Sequence, residues 1–444
     1  MIARTILSCL CGLISCSAWA EEITLAHAID LAVEHAPAMR AAEAGRDLAD
    51  QEAAIGESGL LPRVEASADY QLRRQKTHYD EPQTVFRPNL KYRESTVTLR
   101  AVQPLFDLER WAGYRQGMIS AESGEMKLRM ERQRVMLETA QAALDMLASY
   151  SAVQAATARE QAAEQLAVQS RATFEAGVSP VNERLDAESR RDLVRAERIQ
   201  AENNYEQARE KLASLTGAMV DGVQLPVIAG ELQLPQPATP DAWGEWAVSH
   251  ALPARLSRLQ WQSAEQENTK AWGSNLPKVE AYAQLQGNRA TSGQLGGTRS
   301  RSDSLGVQVS MPVFSSGGGV ATIRKGQKAV LQAEFSMQDD IRLARLSARQ
   351  AFRAYVAALA ELKAMRQAII TAREAAEAAR MGREVGLRTV SEVLDADERR
   401  FTAEKDLAAA QAKLVFAELQ LTASIGELDS RQLPVIYGKS PTLR

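Results

Sequence analysis

The sequence predicts an α+β membrane protein in which short strands enter a lipid bilayer and long helices extend away from them. Two stretches, "LPRVEASADYQL" at 61–72 and "LPKVEAYAQLQG" at 276–287, are nearly identical. Apolar and polar residues alternate within them, which is the period of a strand. Two further runs of roughly 68 residues, 107–175 and 318–384, have a helical pattern and contain no proline. Together these observations favour two internal structural repeats, each with helices and a strand pair.

The first twenty residues have the features of a secretory signal peptide, with Arg4, an apolar stretch and the small-residue site Ala18-Trp19-Ala20. All three cysteines lie inside this segment, so the exported chain is expected to have neither a disulfide nor a cysteine metal site. Residues 13–16 also fit a lipoprotein cleavage box, which would leave Cys16 lipidated. Cleavage after Ala20 is favoured because helical sequence begins almost at once after Glu21.

Charge and hydropathy restrict the classes of function. The chain has 53 basic and 56 acidic residues, a formal net charge of −3, and no basic run or basic-aromatic patch. A nucleic-acid partner is therefore not expected. Beyond the signal peptide no stretch approaches the ~20 apolar residues of a membrane helix. The mature chain is accordingly predicted to be periplasmic, secreted, or inserted in a membrane as strands.

The internal similarity sets the predicted domain boundaries. "AVEHA" at 32–36 recurs as "AVSHA" at 247–251, and "FEAGVSPVNERLDAE" at 174–188 corresponds to "REVGLRTVSEVLDAD" at 383–397. Each half reads as helix, strand, loop, strand, long helix, glycine turn and helix. The predicted divisions are a signal peptide (1–20), a first repeat (21–220), an equatorial linker rich in Pro and Gly (221–240), a second repeat (241–428) and a C-terminal tail (429–444).

Four strands are predicted from their alternation. One face of the first strand is apolar (Val64, Ala66, Ala68, Tyr70, Leu72), and the other three follow the same pattern (Val97, Leu99, Ala101; Val279, Ala281, Ala283, Leu285; Leu305, Val307, Val309, Met311). Strands that alternate over about ten residues are typical of membrane barrels, although any half-buried sheet has the same pattern.

The predicted helices form columns. Segments 24–58, 181–217, 241–273 and 388–427 are each ~50–60 Å long, so two of them end to end match one long helix of ~100 Å. Apolar residues at spacings of three and four mark a packing seam on the last helix (Leu407, Ala410, Leu414, Ala417, Leu421, Ser424, Leu428). The same seam is indicated by Tyr205, Ala208, Leu212 and Leu215, and by Leu137, Ala140, Leu144 and Leu147. A rod-like coiled-coil scaffold is the alternative interpretation.

The strands favour a closed sheet over that scaffold. Strands in a bilayer need partners on both edges, and four strands cannot close around a lumen, whereas three chains supply twelve. A trimer of duplicated chains would have nearly sixfold symmetry. The predicted corners between helices and strands lie at Pro62 and Pro277, with Pro104 and Pro312 at the other ends of the strand pairs; a proline ends the helix before each strand.

The motifs "QPLFDLERWAGYRQG" (103–117), "FEAGVSPVNERLDA" (174–187) and "EVGLRTVSEVLDA" (384–396) resemble those of the TolC family of channel-tunnels, over essentially the whole mature chain. This resemblance implies a homotrimer whose twelve-stranded barrel lies in the lipid of the outer membrane of a Gram-negative cell. A long α-helical coiled-coil barrel continues from it through the periplasm. It also implies a passive exit duct that docks on a periplasmic adaptor (membrane fusion protein) and on an inner-membrane transporter of the ABC or RND type.

The second glycine turn carries two acidic residues, Glu392 and Asp395, three positions apart and hence on one helical face. Thr389 and Glu392 also fit a capping box, in which the carboxylate only serves the helix N-terminus. By resemblance, both acidic residues line the narrow periplasmic end as the pore constriction, where threefold symmetry would gather six carboxylates. Such a ring would attract cations.

The resemblance also implies a gate network at the tip, formed by Arg388, Thr389, Asn182 and Glu183. In it Arg388 bonds a neighbouring helix turn and holds the end of the tunnel shut. The chain departs from the family in one position: Arg383 stands where the family can carry a tyrosine, which changes the expected closure geometry.

Two turns are expected at the tips. Gly177 and Gly386 lie where the helices reverse and are expected to have positive φ. The neighbouring apolar residues Val178, Val385 and Leu387 are, by resemblance, the surface that the adaptor touches.

No catalytic constellation, metal site or cofactor site is predicted, since the four histidines are scattered and Gly317–Gly319 is not followed by a phosphate-loop Lys. The protein is therefore not expected to be an enzyme. Two cargoes stay open. Protein export by type I secretion is favoured slightly over multidrug efflux, and a periplasmic scaffold or adaptor is the alternative of a different class.

Overall fold

A computed structural model describes residues 22–76, 89–220, 222–224, 234–292, 296–314 and 316–428. The predicted signal peptide and the predicted C-terminal tail lie outside the described residues, as does half of the predicted linker. Within the described part, no helix combines the length and apolarity needed to cross a membrane.

The chain is mainly helical, and the same order of elements occurs twice. The first half contains β1 (Glu22–Thr24), α1 (Leu25–His35), α2 (Pro37–Ser58), β2 (Arg63–Lys76), β3 (Asn89–Phe106), α3 (Leu108–Glu175) and α4 (Val181–Thr216). The second half contains β4 (Gly222–Gln224), α5 (Pro240–His250), α6 (Leu252–Gly273), β5 (Lys278–Ala290), β6 (Thr298–Ser310), α7 (Gly318–Glu384) and α8 (Val390–Ser424).

The two long helices, α3 with 68 residues and α7 with 67, agree with the predicted lengths. Shorter helices lie along each of them. Near its start α3 packs closely on α2, where Gly117 faces the backbone of Glu52, and towards its end it pairs with α4 through Arg171 and Glu188. Along α7 the order is α6, α5 and α8. Each long helix is thus matched by shorter helices end to end, as the lengths predicted.

The prediction of single helices over 24–58 and 241–273 is wrong, because both segments are broken. Ala36 (φ −60°, ψ 125°) separates α1 from α2, and Ala251 (φ −56°, ψ 130°) separates α5 from α6. Pro37 directly follows the first break and disfavours a helical conformation at Ala36. At the second break the proline is Pro253, which lies two residues after Ala251 rather than one. The repeated "AVEHA" and "AVSHA" motifs are therefore the ends of the helices that precede the breaks.

A short parallel pair, β1 with β4, was not predicted. Ile23 lies opposite Val223, and both side chains are buried in the core between α1, α3, α4 and α8. Three-residue strands give too little periodicity to be recognised in a sequence. This pair joins the start of the described chain to the segment after α4.

The four predicted strands form one antiparallel sheet in the order β2-β3-β5-β6. They are longer than predicted, up to 18 residues in β3. The register aligns the apolar residues: Val64 lies opposite Ala101, Ala101 opposite Ala283, and Ala283 opposite Leu305. The next row joins Ala66, Leu99 and Leu285. These rows form one continuous face, here named the apolar face, and β2 and β6 are the edges of the sheet within the chain.

The apolar face is open to the surroundings of the single chain. Leu72 is 77% exposed, Leu99 44% and Leu305 85%. The opposite face is polar, since Ser67, Thr98 and Gln286 form one of its rows. An apolar patch of this extent on a sheet is typical of a surface that meets another apolar phase.

The core lies at the middle of the helical body, where α8 packs against both halves. The predicted seam on α8 is buried at Ala410, Leu414, Ala417 and Leu421, beside Leu359 and Leu362 of α7. Ala140, Leu144 and Leu212 of the other predicted seams are buried in the second cluster. Alanine at these positions allows close approach of the helices, which explains a core with few aromatic residues.

Candidate functional site

The site lies at the end of the helical body furthest from the sheet, where two helical hairpins reverse. At the first tip the Gly177 N–H donates to Phe174 O (2.9 Å) and the Val178 N–H to Thr173 O (3.0 Å). At the second tip Gly386 donates to Arg383 O (3.0 Å) and Leu387 to Gly382 O (2.8 Å). Both are Schellman turns, with φ of 74° at Gly177 and 77° at Gly386. The predicted positive φ values are confirmed.

The residues beside these glycines are apolar and exposed. Val178 is 79% exposed, Val385 69% and Leu387 81%. Each turn therefore projects large aliphatic side chains away from the body of the chain. Within one chain nothing among the described residues covers them.

The two hairpins begin their second helices differently. On α8 the Glu392 N–H donates to Thr389 Oγ1 (3.3 Å), and the Thr389 N–H donates to Glu392 Oε2 (2.8 Å), which is a complete capping box. On α4 the N-cap, the position that corresponds to Thr389, is Pro180, which has no N–H to donate. Glu183 therefore cannot close a capping box, and its carboxylate has no hydrogen bond or ion pair within the described chain.

Within each hairpin the same ion pair joins the two helices. Arg171 Nη2 lies 2.7 Å from Glu188 Oε1 in the first hairpin, and Arg380 Nη2 lies 2.7 Å from Asp397 Oδ1 in the second. Asp397 is buried, and Arg380 together with Arg400 (3.5 Å) compensates its charge. These pairs fix the geometry of each tip separately.

Two further arginines connect one hairpin to the other. Arg190 Nη1 on α4 donates to Asp395 Oδ1 on α8 (2.6 Å), and Arg190 Nη2 donates to Ser391 Oγ (3.4 Å). Further from the tip, Arg159 Nη2 on α3 lies 2.8 Å from Glu398 Oε1. The sequence analysis did not identify either arginine. Their partners lie more than 200 residues away in the sequence, so no local spacing indicates them.

The predicted constriction residues both have partners inside the chain. Glu392 accepts from the Thr389 backbone and from Arg388 Nη1 (2.9 Å), and these contacts, the backbone hydrogen bond first, lower the pKa of Glu392. Asp395 is held by Arg190. Arg388 contacts Glu392 in the chain rather than Asn182 or Glu183, because the capping box holds the carboxylate one turn away.

At the other end of the helices lie the predicted corners. Pro62 and Pro277 directly precede β2 and β5, but the helices before them already end at Ser58 and Gly273. The prediction that these prolines end the helices is therefore wrong. In both places i→i+3 turns end the helix first, for example Leu60 N–H to Glu57 O (2.9 Å) and Asn275 N–H to Trp272 O (3.1 Å).

The other two prolines lie at the ends of β3 and β6. Pro104 stands at a register shift in β3, and Pro312 lies two residues beyond the end of β6. The corner after β3 is also held by charges. Asp107 caps α3, Arg110 joins Asp107 to Glu280 of β5 (both 3.2 Å), and Lys278 reaches Glu109 (2.6 Å).

The fold and the tip define a class of protein: a long helical body with exposed hairpin turns at one end and, at the other, a four-stranded sheet that is apolar on one side. The model of the family described as outer membrane efflux protein matches residues 28–218 and 255–427. The chain belongs to this family of outer-membrane channels, which is not a class of enzymes.

Known relatives match over nearly the whole chain. The alkaline protease secretion protein AprF of Pseudomonas aeruginosa is 25% identical over 93% of this chain and 88% of its own length. The outer membrane protein TolC of Vibrio cholerae is 24% identical over 95% of this chain and 94% of its own length. The proteases secretion protein PrtF of Dickeya chrysanthemi is 25% identical, covering 96% and 93%.

Solved structures have the same fold. The outer-membrane channel OprN superimposes with a TM-score of 0.78 at 19% identity, covering 91% of this chain and 90% of that one. The outer membrane protein VceC of Vibrio cholerae gives 0.76 at 18% identity, covering 90% and 96%. The chain is thus an outer-membrane exit duct for secretion or efflux.

Proposed function

We propose that three copies of this chain close a twelve-stranded barrel in the outer membrane, continued by a helical tunnel in the periplasm. The observation that carries the proposal is the sheet, which has one exposed apolar face and one polar face. Its two edges, β2 and β6, have no partner strand among the described residues. A sheet of this kind in lipid must have both edges paired. The scaffold alternative gives the apolar face no role.

The repeated sequence supports a specific way of closing the barrel. Val64 lies opposite Ala101; the counterparts of these two residues, Val279 at 215 positions further and Val309 at 208 positions further, also lie opposite each other. The β2–β3 pair thus has the same register as the β5–β6 pair once β2 is shifted by 215 positions and β3 by 208. We propose that the same two shifts convert the β3–β5 pair inside the chain into the pair that β6 of one copy forms with β2 of the next.

This relation fixes the register between copies. Leu99 lies opposite Leu285, so Val307 of one copy is expected opposite Tyr70 of the next. Two residues along, Leu305 meets Leu72, and Asp303 meets Arg74. The apolar rows then continue around the barrel, and Asp303 and Arg74, which have no ion pair in the described chain, become a pair of opposite charges.

Cysteine cross-linking tests this closure, since all three native cysteines lie in the predicted signal peptide. The double variant Val307→Cys/Tyr70→Cys is expected to form covalent dimers and trimers on mild oxidation of outer membranes, because directly opposite residues allow disulfide geometry. Val307→Cys/Ala68→Cys and Val307→Cys/Leu72→Cys are the matched controls and should remain largely uncross-linked, as should the single variants.

Two results of the cross-linking experiment would contradict different parts of the proposal. Cross-linking through a control pair would keep the trimer but reject the register. A monomer in native mass measurements, with no pair cross-linked, would reject the trimer itself. The purified protein should also conduct ions in a planar bilayer if the closed barrel encloses a lumen.

At the periplasmic end we propose that the exposed turns dock on a periplasmic adaptor and that an inner-membrane transporter of the ABC or RND type supplies the energy. The large aliphatic side chains of Val178, Val385 and Leu387 support a protein partner there. The Glu183 carboxylate, which has no hydrogen bond or ion pair among the described residues, supports the gate proposal in which Arg388 bonds the first tip of a neighbouring copy. Asn182 directly precedes Glu183 in the chain, and Thr389 holds the Glu392 carboxylate that Arg388 contacts.

We further propose that Glu392 and Asp395 line the constriction between the three second hairpins. Their carboxylates lie on one face of α8, and both are partly exposed in the single chain. The arginines that hold them would reduce the negative charge of the ring while the hairpins stay together.

For the cargo, protein secretion is favoured by AprF and PrtF, whose names specify protease secretion and which match over most of both lengths. Multidrug efflux is the second candidate, favoured by the name of the family and by the outer membrane efflux protein BepC of Brucella suis, which is 27% identical over 92% of this chain. Complementation of a strain that lacks its own duct, scored separately for secreted protease and for drug resistance, distinguishes the two.

A further inference from the structure

We propose that the outer rim of the sheet binds the phosphate groups of lipid headgroups in the outer leaflet of the membrane. This inference rests on the proposed barrel, because the surface concerned faces lipid only when the barrel closes. It starts from the basic side chains near the loop ends of the strands. The basic belt, as these residues are named here, consists of Arg74 and Lys76 of β2, Lys91 and Arg93 of β3, Arg289 of β5, and Arg299 and Arg301 of β6.

The strand register puts the basic belt on the same side as the apolar face. Tyr70 lies opposite Ser95, Ser95 opposite Arg289, and Arg289 opposite Arg299, so these four residues form one row. Rows on one face of a sheet are two residues apart, and Leu99 is four residues from Ser95. The belt is therefore a continuation of the apolar face towards the loops and does not face the lumen.

The position of the belt along the strands is also defined. The helices join the sheet at the other ends of the strands, at residues such as Arg63, Phe106 and Lys278. If the helical body is periplasmic, the belt lies at the external edge of the apolar face. A lipid-facing Arg or Lys is clearly destabilising at the middle of a bilayer but costs close to nothing at its interface. The belt thus marks the outer headgroup level.

The side chains of the basic belt carry charges that the described part of the chain does not neutralise. All seven are exposed, and none makes an ion pair within the described residues. On the lumen side of the same sheet the situation differs: Arg73 lies 3.4 Å from Glu94, and Arg63 pairs with Glu65. Evidently the lumen face balances its charges, whereas the lipid-facing rim leaves them open to an external anion.

A single acidic residue, Asp303, shares the belt's face in the described strands, and the proposed register pairs it with Arg74 of the next copy. Six cations per chain then remain. Guanidinium groups bind phosphate through two parallel hydrogen bonds, and four of these six cations are arginine. The chemistry that fits is a phosphorylated lipid headgroup at the outer interface.

The test uses the full-length trimer in detergent with three probes: diphosphorylated lipid A, the same lipid after phosphatase treatment, and inorganic phosphate. Diphosphorylated lipid A is expected to raise the melting temperature by several degrees, and added salt should reduce the shift because the contact is between charges. Neither of the other probes should do so. The variant Arg289→Gln/Arg299→Gln/Arg301→Gln should lose most of the shift and bind the lipid at least tenfold more weakly.

The lumen-facing variant Arg63→Gln/Arg73→Gln/Arg100→Gln removes the same charge from the other side of the sheet and should keep the wild-type lipid shift. An equal shift with the dephosphorylated lipid or with inorganic phosphate would overturn the inference. So would an equal loss in the lumen-facing variant. If the wild type conducts ions but gains no stability from diphosphorylated lipid A, the belt is rejected and the duct survives. If it neither inserts nor conducts, the duct itself fails.

Discussion

At the scale of single residues, the charged side chains at the tip depend on contacts that span the chain. Arg190 holds Asp395 across two hairpins, and its contact with Ser391 on the same helix adds a second point of attachment. Both partners of the ion pair are partly exposed, at 37% and 46%, so one copy contributes only ~0–1 kcal/mol. In a trimer three such contacts act together on one opening.

Removal of this contact tests its role in closure. Arg190→Gln should raise single-channel conductance and cation selectivity, because the hairpins lose a tie and Asp395 loses its neutralising partner. Conductance and the reversal potential in a salt gradient are the measurements. Arg191→Gln is the matched control, since the partners of Arg191, Asp192 and Glu164, lie within its own hairpin. Equal effects of the two substitutions, or none in Arg190→Gln, would contradict this role.

At the scale of elements, close contact between helices decides where the long helices are supported. A Cβ atom at Gly117 of α3 would lie 2.6 Å from Glu52 O of α2, whereas one at Gly113, on the same helix, would meet nothing within 4 Å. The two glycines thus differ in their surroundings: a side chain at Gly117 would clash with α2, and one at Gly113 would not clash within the described chain. Only Gly117 is required by packing within the chain.

These two positions give a matched pair of substitutions. Gly117→Ala should lower the free energy of unfolding by ~1–3 kcal/mol, because the α2 backbone must move away. Gly113→Ala should raise it by ~0.5–1 kcal/mol, since alanine favours the helix and fits without a clash. Chemical or thermal unfolding of the two variants measures both effects. A stabilising Gly117→Ala would show that α2 and α3 can separate at no cost.

At the scale of the whole molecule, the proposed barrel would make the sheet the boundary between lipid and lumen. Leu99 and Thr98 are adjacent in β3 and point to opposite faces, Leu99 in the apolar rows and Thr98 in the polar ones. The same substitution at the two positions therefore probes the two environments separately.

Leu99→Arg should reduce insertion into the outer membrane, because an arginine in the lipid-facing band costs ~2–4 kcal/mol near the bilayer centre. Thr98→Arg should insert normally and alter conductance, since its charge lies in the lumen. Fractionation of the membranes and heat-modifiability of the trimer measure insertion. The assignment of faces is wrong if Thr98→Arg is the variant that fails to insert.

The sequence by itself determined the features that depend on local periodicity. Alternation gave the four strands and their apolar face, heptad spacing gave the buried residues Leu414 and Leu421, and the glycines at 177 and 386 marked both tips. These signals are local because a strand or helix repeats its side-chain direction every two or 3.6 residues. The prolines next to the breaks at Ala36 and Ala251 are also visible in the sequence. The helical pattern continues on both sides of each break, so the breaks were not predicted.

Only the tertiary structure decided which distant charged groups meet. The contact of Arg388 with Glu392 is local, because the two residues are four apart and the capping box at Thr389 and Glu392 is indicated by the sequence. Arg190 and Asp395 are 205 residues apart, so their contact depends on how the two hairpins pack. Likewise, the strand register put the seven basic residues of the belt on one face. Charge pairing is set by distance in space, and no short-range pattern in the chain encodes that distance.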